Sequence, residues 1–264
     1  LAQVILASSL LFFFGSGIAL IDASLAGALG ITLLGLYRWL VAGNRSILSV
    51  ALLIVGTSWA CALKGPVGLA IPALTIILLC LCQRSIKPIL TLPLARSFLG
   101  VFTIIGLYIW FYEQHNPGFL WYFLVHENVL RYLIRDYGDR IGSGHPQVYG
   151  ISVIFALVAF LPWSPFLVRS LWRSPPRGDA EQFFTCAFLA PAVLFLCARQ
   201  HLATYQIPAL LPAALFLSGR IKPAVIQRIA TCSCALFISV ALLGATSVDT
   251  FFSSRAVFYE ALDL

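Results

Sequence analysis

Residues 47–82 read ILSVALLIVGTSWACALKGPVGLAIPALTIILLCLC, and Lys64 is the one charge among them. A membrane-spanning helix takes roughly 20 mainly apolar residues, with about 17–25 the usual range. The stretches 47–63 and 66–82 therefore read as two crossings joined by almost no loop. Outward from this pair, the same reading places spans near 1–20, 23–41, 98–112, 149–168, 183–198, 205–219 and 229–247. The expected fold is an all-α polytopic membrane protein of about nine transmembrane helices.

Composition agrees. The chain is 60% hydrophobic and 10% charged, with a mean hydropathy of +0.94. Soluble domains carry about 45–50% apolar and about 25% charged residues. This balance excludes a water-soluble globule and, equally, disorder. The apolar runs are too continuous for the alternating strands of a membrane barrel. In such a chain the net charge of +7 reports topology and not a nucleic-acid partner. The chain has no Met and no basic segment before its apolar start, so residues 1–20 read as an internal span and not as a signal peptide. The 7 cysteines lie in or beside apolar runs, and their odd number excludes a complete disulfide framework.

The basic residues sort by side. Arg38, Arg45, Arg84, Lys87, Arg96, Arg169, Arg173, Arg177, Arg220, Lys222 and Arg228 fall in one set of loops, which the positive-inside rule makes cytoplasmic. Asp179 and Glu181 are the acids on that side; all four histidines fall on the other. Residues 1–247 then form a transmembrane region with one long outward loop, 113–148, and 248–264 form a short outward tail. Within the loop, residues 118–135 read GFLWYFLVHENVLRYLIR. Glu127, Arg131 and Arg135 recur every fourth position, which predicts an amphipathic helix lying in the membrane interface.

Ionisable groups at the ends of spans ask for a reason. Asp22 precedes an apolar run on the outward side, suiting either a helix N-cap or a site carboxylate. Lys64 before Gly65-Pro66 suits an anion clamp, with ammonium charge, a glycine for close approach and a proline to begin the next helix; a snorkelling interfacial lysine is the plainer alternative. Arg131, Arg135 and Arg140 offer planar forks for phosphate, although Asp136 and Asp139 could satisfy them. Tyr205 stands at the outward mouth of a span, where tyrosines are common belt residues. His126 and Glu127 are adjacent ligands for a candidate divalent cation.

The order of these elements — an Asp closing an outward crossing, KGPVGLAIP, WYFLVHENVLRYL and HLATYQIPALLP — resembles the bacterial membrane glycosyltransferases of the protein-mannosyltransferase-like group. Within that group the look is closest to the aminoarabinose transferases that modify lipid A. The resemblance covers roughly residues 10–218. It implies a partial C-type glycosyltransferase fold in the bacterial inner membrane, a polyprenyl-phosphate-linked sugar as donor, and a periplasmic acceptor such as lipid A. It also implies roles: Asp22 as a catalytic carboxylate, Lys64, Arg131 and Tyr205 on the donor phosphate at the cavity, with His126 and Glu127 in support. Asn128 departs from the usual histidine, His201 from a lysine and Ala203 from a proline. The family's principal catalytic Asp belongs to an outward loop ahead of Leu1, so the chain reads as a middle section of such an enzyme. A transporter or lipid flippase, and a non-enzymatic membrane remnant, are the competing readings; neither internal repeats nor matched broken spans support the transporter.

Overall fold

The structure is a computed structural model that describes residues 1–15, 20–134 and 147–252; the side chains of Arg131 and of residues 244–252 lie outside that description. Its elements run in chain order as α1 (Ala2–Ala7), α2 (Leu10–Gly15), α3 (Ile21–Leu40), α4 (Ile47–Lys64), α5 (Val67–Gln83), α6 (Lys87–Thr91) and α7 (Leu94–His115). A π-helical segment (Trp121–Leu130) and α8 (Arg131–Leu133) follow, then α9 (Ile151–Ala159), α10 (Ser164–Arg173) and α11 (Asp179–Leu194). A 3₁₀ turn (Ala203–Gln206) leads into α12 (Ile207–Ser218), and α13 (Pro223–Phe252) closes the set. No β-strand occurs among the described residues. The helix α13 runs past 247 into the expected tail, and residues 253–264 lie outside the described residues.

The helices α3, α4, α5, α11 and α12 form the interior. Leu25, Ala28 and Leu29 of α3 pack with Ala60 of α4, Ile71 of α5 and Ala190 of α11. Small side chains at these contacts let the backbones approach, as in helix pairs within lipid. The Thr32 and Thr57 hydroxyls meet at 3.4 Å inside the α3–α4 contact, so these buried polar atoms have a partner. By contrast α7 buries little besides Val101, and Phe102, Leu107 and Trp110 face outward. In water such an apolar surface would drive aggregation; here it is the lipid-facing wall.

Four described helices are long and apolar enough to cross a membrane: Ile21–Leu40, Ile47–Lys64, Leu94–His115 and Pro223–Leu243. A fifth is counted if the bent pair α9–α10 is one span, and α5 and the stretch Ala203–Ser218 are shorter apolar helices. By this count four or five described spans stand against the roughly nine expected from hydropathy, with α5 at 17 residues just short of the full length. The first expected span breaks at Ser8-Ser9, whose hydroxyls donate to Val4 O at 2.6 Å and Leu6 O at 2.7 Å and so compete with the helix. The span expected over 149–168 breaks by 110° around Pro162, which has no N–H to continue the ladder. These two breaks cover each other. Trp163 Nε1 donates to Ser8 Oγ at 3.1 Å, and Leu10 N to Leu161 O at 2.8 Å. Irregular backbone at membrane depth is tolerated where protein buries it in this way.

The helix expected over 118–135 differs too. It begins at Phe119, close to the expected start, but Trp121–Leu130 wind as a π-helix. Side chains accordingly pair five apart: Tyr122 Oη donates to Glu127 Oε1 at 3.0 Å, and Asn128 Nδ2 to Phe123 O at 2.6 Å. Arg135, Asp136, Asp139 and Arg140 lie outside the described residues.

Candidate functional site

The site is assembled where α3 begins and α4 ends. Asp22 is the second residue of α3, and Leu20 occupies the N-cap position, so the carboxylate is not spent on capping. It reaches across to the Lys64 ammonium at the end of α4, 42 positions later in the chain, and forms an ion pair. The Asp22 side chain is 9% exposed and that of Lys64 21%. The other carboxylate oxygen accepts a hydrogen bond from Thr204 Oγ1 at 2.6 Å. Both oxygens of Asp22 are thus engaged.

Next to Thr204, Tyr205 lays its ring beneath the same ammonium, with Lys64 Nζ 3.5 Å from the ring centroid. The negative face of a phenol ring attracts a cation in this position. Beneath Tyr205 the stack continues. His201 lies 5.3 Å from it at an interplanar angle of 23°, and Phe195 lies 5.1 Å from His201 at 28°. His201 is buried and shares a 3.2 Å contact between its Nε2 and Gln206 Nε2. Burial, and secondarily the Lys64 ammonium, push its pKa down from 6.5 to about 4, while Asp22 pulls the other way. The imidazole is therefore neutral at physiological pH, and no second positive charge crowds Lys64.

The KGPVG turn brings in the π-helical segment (Trp121–Leu130). Gly65 adopts φ +53°, ψ −134°, a conformation that side chains rarely take. A Cβ there would also lie 2.8 Å from Asn128 Nδ2, so the partner approaching this glycine is the π-helical segment. Gly68 presses on the backbone of Ala60 and Cys61, which seats α5 against α4. Through these contacts His126 and Glu127 come to the same end of the bundle, 3.5 Å apart between Nδ1 and Oε1. Two adjacent residues do not make a metal site, and among the described residues no three His, Cys, Asp or Glu side chains cluster to hold an ion. Arg131 follows directly in α8; its side chain lies outside the described residues. Tyr132 Oη donates to Leu194 O at 2.6 Å, and Arg199 N to Tyr132 O at 3.0 Å, which ties this segment to the approach of the 3₁₀ turn.

Of the residues singled out in the sequence, Asp22, Lys64 and Tyr205 meet directly. Tyr205 offers its ring face to the Lys64 ammonium. Thr204 and the His201–Phe195 stack were not foreseen as partners. The one signal for Thr204 and His201 was nearness to Tyr205 in HLATYQIP, and nothing in spacing links Thr204 to an aspartate 182 positions away.

No protein-family profile matches the chain. It is 28% identical over 151 residues to the undecaprenyl phosphate-alpha-4-amino-4-deoxy-L-arabinose arabinosyl transferase 2 of Proteus mirabilis (strain HI4320), a match covering 55% of this chain and 26% of that protein. Crystal structures of ArnT from Cupriavidus metallidurans superpose on 96% of the chain. The undecaprenyl phosphate complex gives a TM-score of 0.70 at 20% identity, and the apo state gives 0.66 at 21%. The chain spans 46% of those solved chains, less than half their length. It is thus ArnT-like, resembling the aminoarabinose transferases in part of its sequence and carrying the C-type membrane glycosyltransferase fold along nearly all of it.

Proposed function

We propose that the chain forms the donor-phosphate side of a membrane glycosyltransferase centre. The donor is a polyprenyl-phosphate-linked sugar, and the acceptor lies on the periplasmic face of a bacterial inner membrane, with lipid A the first candidate. The observation that carries this reading is the Asp22–Lys64–Thr204–Tyr205 cluster at one end of an ArnT-like bundle. ArnT itself has been crystallised with undecaprenyl phosphate, and the Proteus relative is named for an undecaprenyl-phosphate sugar.

In such a transfer the acceptor oxygen forms a bond to the anomeric carbon while the bond to the polyprenyl phosphate breaks. The departing phosphate keeps the electron pair, so charge develops on its oxygens. A fixed cation in a partly dehydrated site stabilises that charge more than it stabilises the ground state. Lys64 is that cation, with Arg131 as the second. Asp22, with both oxygens engaged, suits holding the ammonium over the Tyr205 ring better than taking the acceptor's proton. His126 and Glu127 support the loop that carries Arg131.

The test is binding of undecaprenyl phosphate to the detergent-purified chain, compared between wild type and Lys64→Met. Losing one charge-assisted contact costs about 1.5–3 kcal/mol, roughly a tenfold to hundredfold weaker Kd. Equal affinity in the two proteins would overturn the assignment of Lys64. Absence of binding by wild type would overturn the reading as a whole.

A further inference from the structure

At the far end of the bundle, α9 and α10 meet at 110°, and an open groove of about 430 Å³ lies along α10 beside their junction. Leu157 of α9 flanks it, and α10 lines it with apolar Pro165 and Val168 followed by Arg169, Trp172 and Arg173. We propose that this elbow binds the headgroup of an anionic phospholipid, and that it is a lipid site separate from the Asp22–Lys64 centre.

Separation follows from α12. Its 12 residues span about 18 Å. The 3₁₀ turn with Thr204 and Tyr205 opens it. Just beyond its other end, Arg220 bonds Glu181 of α11 and the Ser170 and Ser174 carbonyls at the end of α10. That clamp fixes α10 across the base of α11 and α12. The elbow is therefore a built angle between held helices.

Its chemistry is selective. Residues 165, 168, 169, 172 and 173 form the exposed face of α10, while Ser164 and Leu167 turn into the core. Trp172 is 88% exposed, unusual for a tryptophan unless its ring sits among lipid headgroups. Arg169 and Arg173 stand four apart on either side of it, one helical turn from each other. Neither makes a hydrogen bond or ion pair with another described residue, whereas Arg220 nearby is saturated with acceptors. Two guanidinium forks beside an apolar wall match a phosphate diester with an acyl chain attached. A free phosphate would use the forks and gain nothing from Leu157, Pro165 and Val168, so a lipid is the better-matched occupant. Basic pockets between membrane helices bind acidic headgroups on this logic.

The experiment is native mass spectrometry of the full chain released from detergent containing equal phosphatidylglycerol and phosphatidylcholine of matched acyl length. Phosphatidylglycerol should be retained in preference, and Arg169→Gln/Arg173→Gln should cut that retention about tenfold with unchanged circular dichroism. Arg228→Gln, an exposed arginine at the same end, should leave it unchanged. Trp172→Ala should weaken retention with all charges intact. Equal retention of the two lipids overturns the proposal, as does equal loss in Arg228→Gln. So does displacement of the lipid by millimolar inorganic phosphate, which would make the elbow a free-anion site. Because undecaprenyl phosphate is absent from this assay, its outcome is independent of the donor-site reading.

Discussion

The Asp22–Lys64 pair can be measured directly by a double-mutant cycle on stability. Asp22→Asn keeps an oxygen for Thr204 Oγ1 and removes only the charge that faces the Lys64 ammonium. Lys64→Met keeps most of the side-chain volume and strands the carboxylate. Breaking one side of a buried pair costs about 3–5 kcal/mol. With side-chain exposures of 9% and 21%, the lower end of that range applies, about 3 kcal/mol for each single variant. At about 2–4 °C per kcal/mol for a chain of this size, each should lower the Tm in detergent by about 6–12 °C. The double variant leaves no stranded charge, so its loss should fall short of the sum by at least about 1.5 kcal/mol. The contact of Lys64 with the Tyr205 ring is lost in both Lys64→Met backgrounds and cancels from the cycle. The assay is thermal unfolding followed by helical circular dichroism. Penalties that add to within about 0.5 kcal/mol would refute a formed pair.

Three other outcomes follow from the site. Gly65→Ala forces a side chain into a left-handed conformation and against Asn128, so it should destabilise by about 1–3 kcal/mol and raise hydrogen exchange across residues 121–130. Tyr205→Leu should cost about 0.5–2 kcal/mol in thermal unfolding, because it removes the ring face that Lys64 contacts. His201 has a folded pKa of about 4 against 6.5. The unfolded chain therefore takes up that proton first, and stability present above pH 6.5 should fall as pH drops towards 4; in a pH series of Tm values, His201→Gln should flatten this slope.

How much of this was legible in the sequence depends on range. Helical class came through because apolar runs such as 47–63 are local and long. Span count did not, because Ser8-Ser9 and Pro162 break helices only where Trp163 and Ser8 can bury one another's irregular backbone. Hydropathy windows average over such breaks. Lys64, Asp22 and Tyr205 were visible as charges and a phenol at span ends, where a membrane penalises them. Their mutual geometry was not visible, since Asp22 and Thr204 are 182 positions apart. The π-helical winding of Trp121–Leu130 was equally hidden, because a four-residue charge spacing reads as an α-helix until Tyr122–Glu127 and Phe123–Asn128 contacts show the wider turn.

What Asp22 does for an anionic ligand can be decided by sign. If Lys64 is shared between the carboxylate and a donor phosphate, the two anions sit on either side of one ammonium, about 5–6 Å apart for ordinary hydrogen-bond lengths. At an effective dielectric of about 20 their repulsion is about 3 kcal/mol. Against this, Asp22 holds the lysine in place, and the rotamer freedom regained on removing it is worth at most about 2 kcal/mol. Repulsion therefore wins. The net of at least about 1 kcal/mol means that Asp22→Asn should bind undecaprenyl phosphate at least about fivefold more tightly than wild type, the opposite direction from Lys64→Met. Transfer need not follow affinity, because a tighter hold on the ground-state phosphate does nothing for the barrier unless it tightens further as the bond breaks. If Asp22→Asn instead weakens binding as much as Lys64→Met, placement of the ammonium outweighs repulsion. Asp22 would then be the residue on which donor recognition depends.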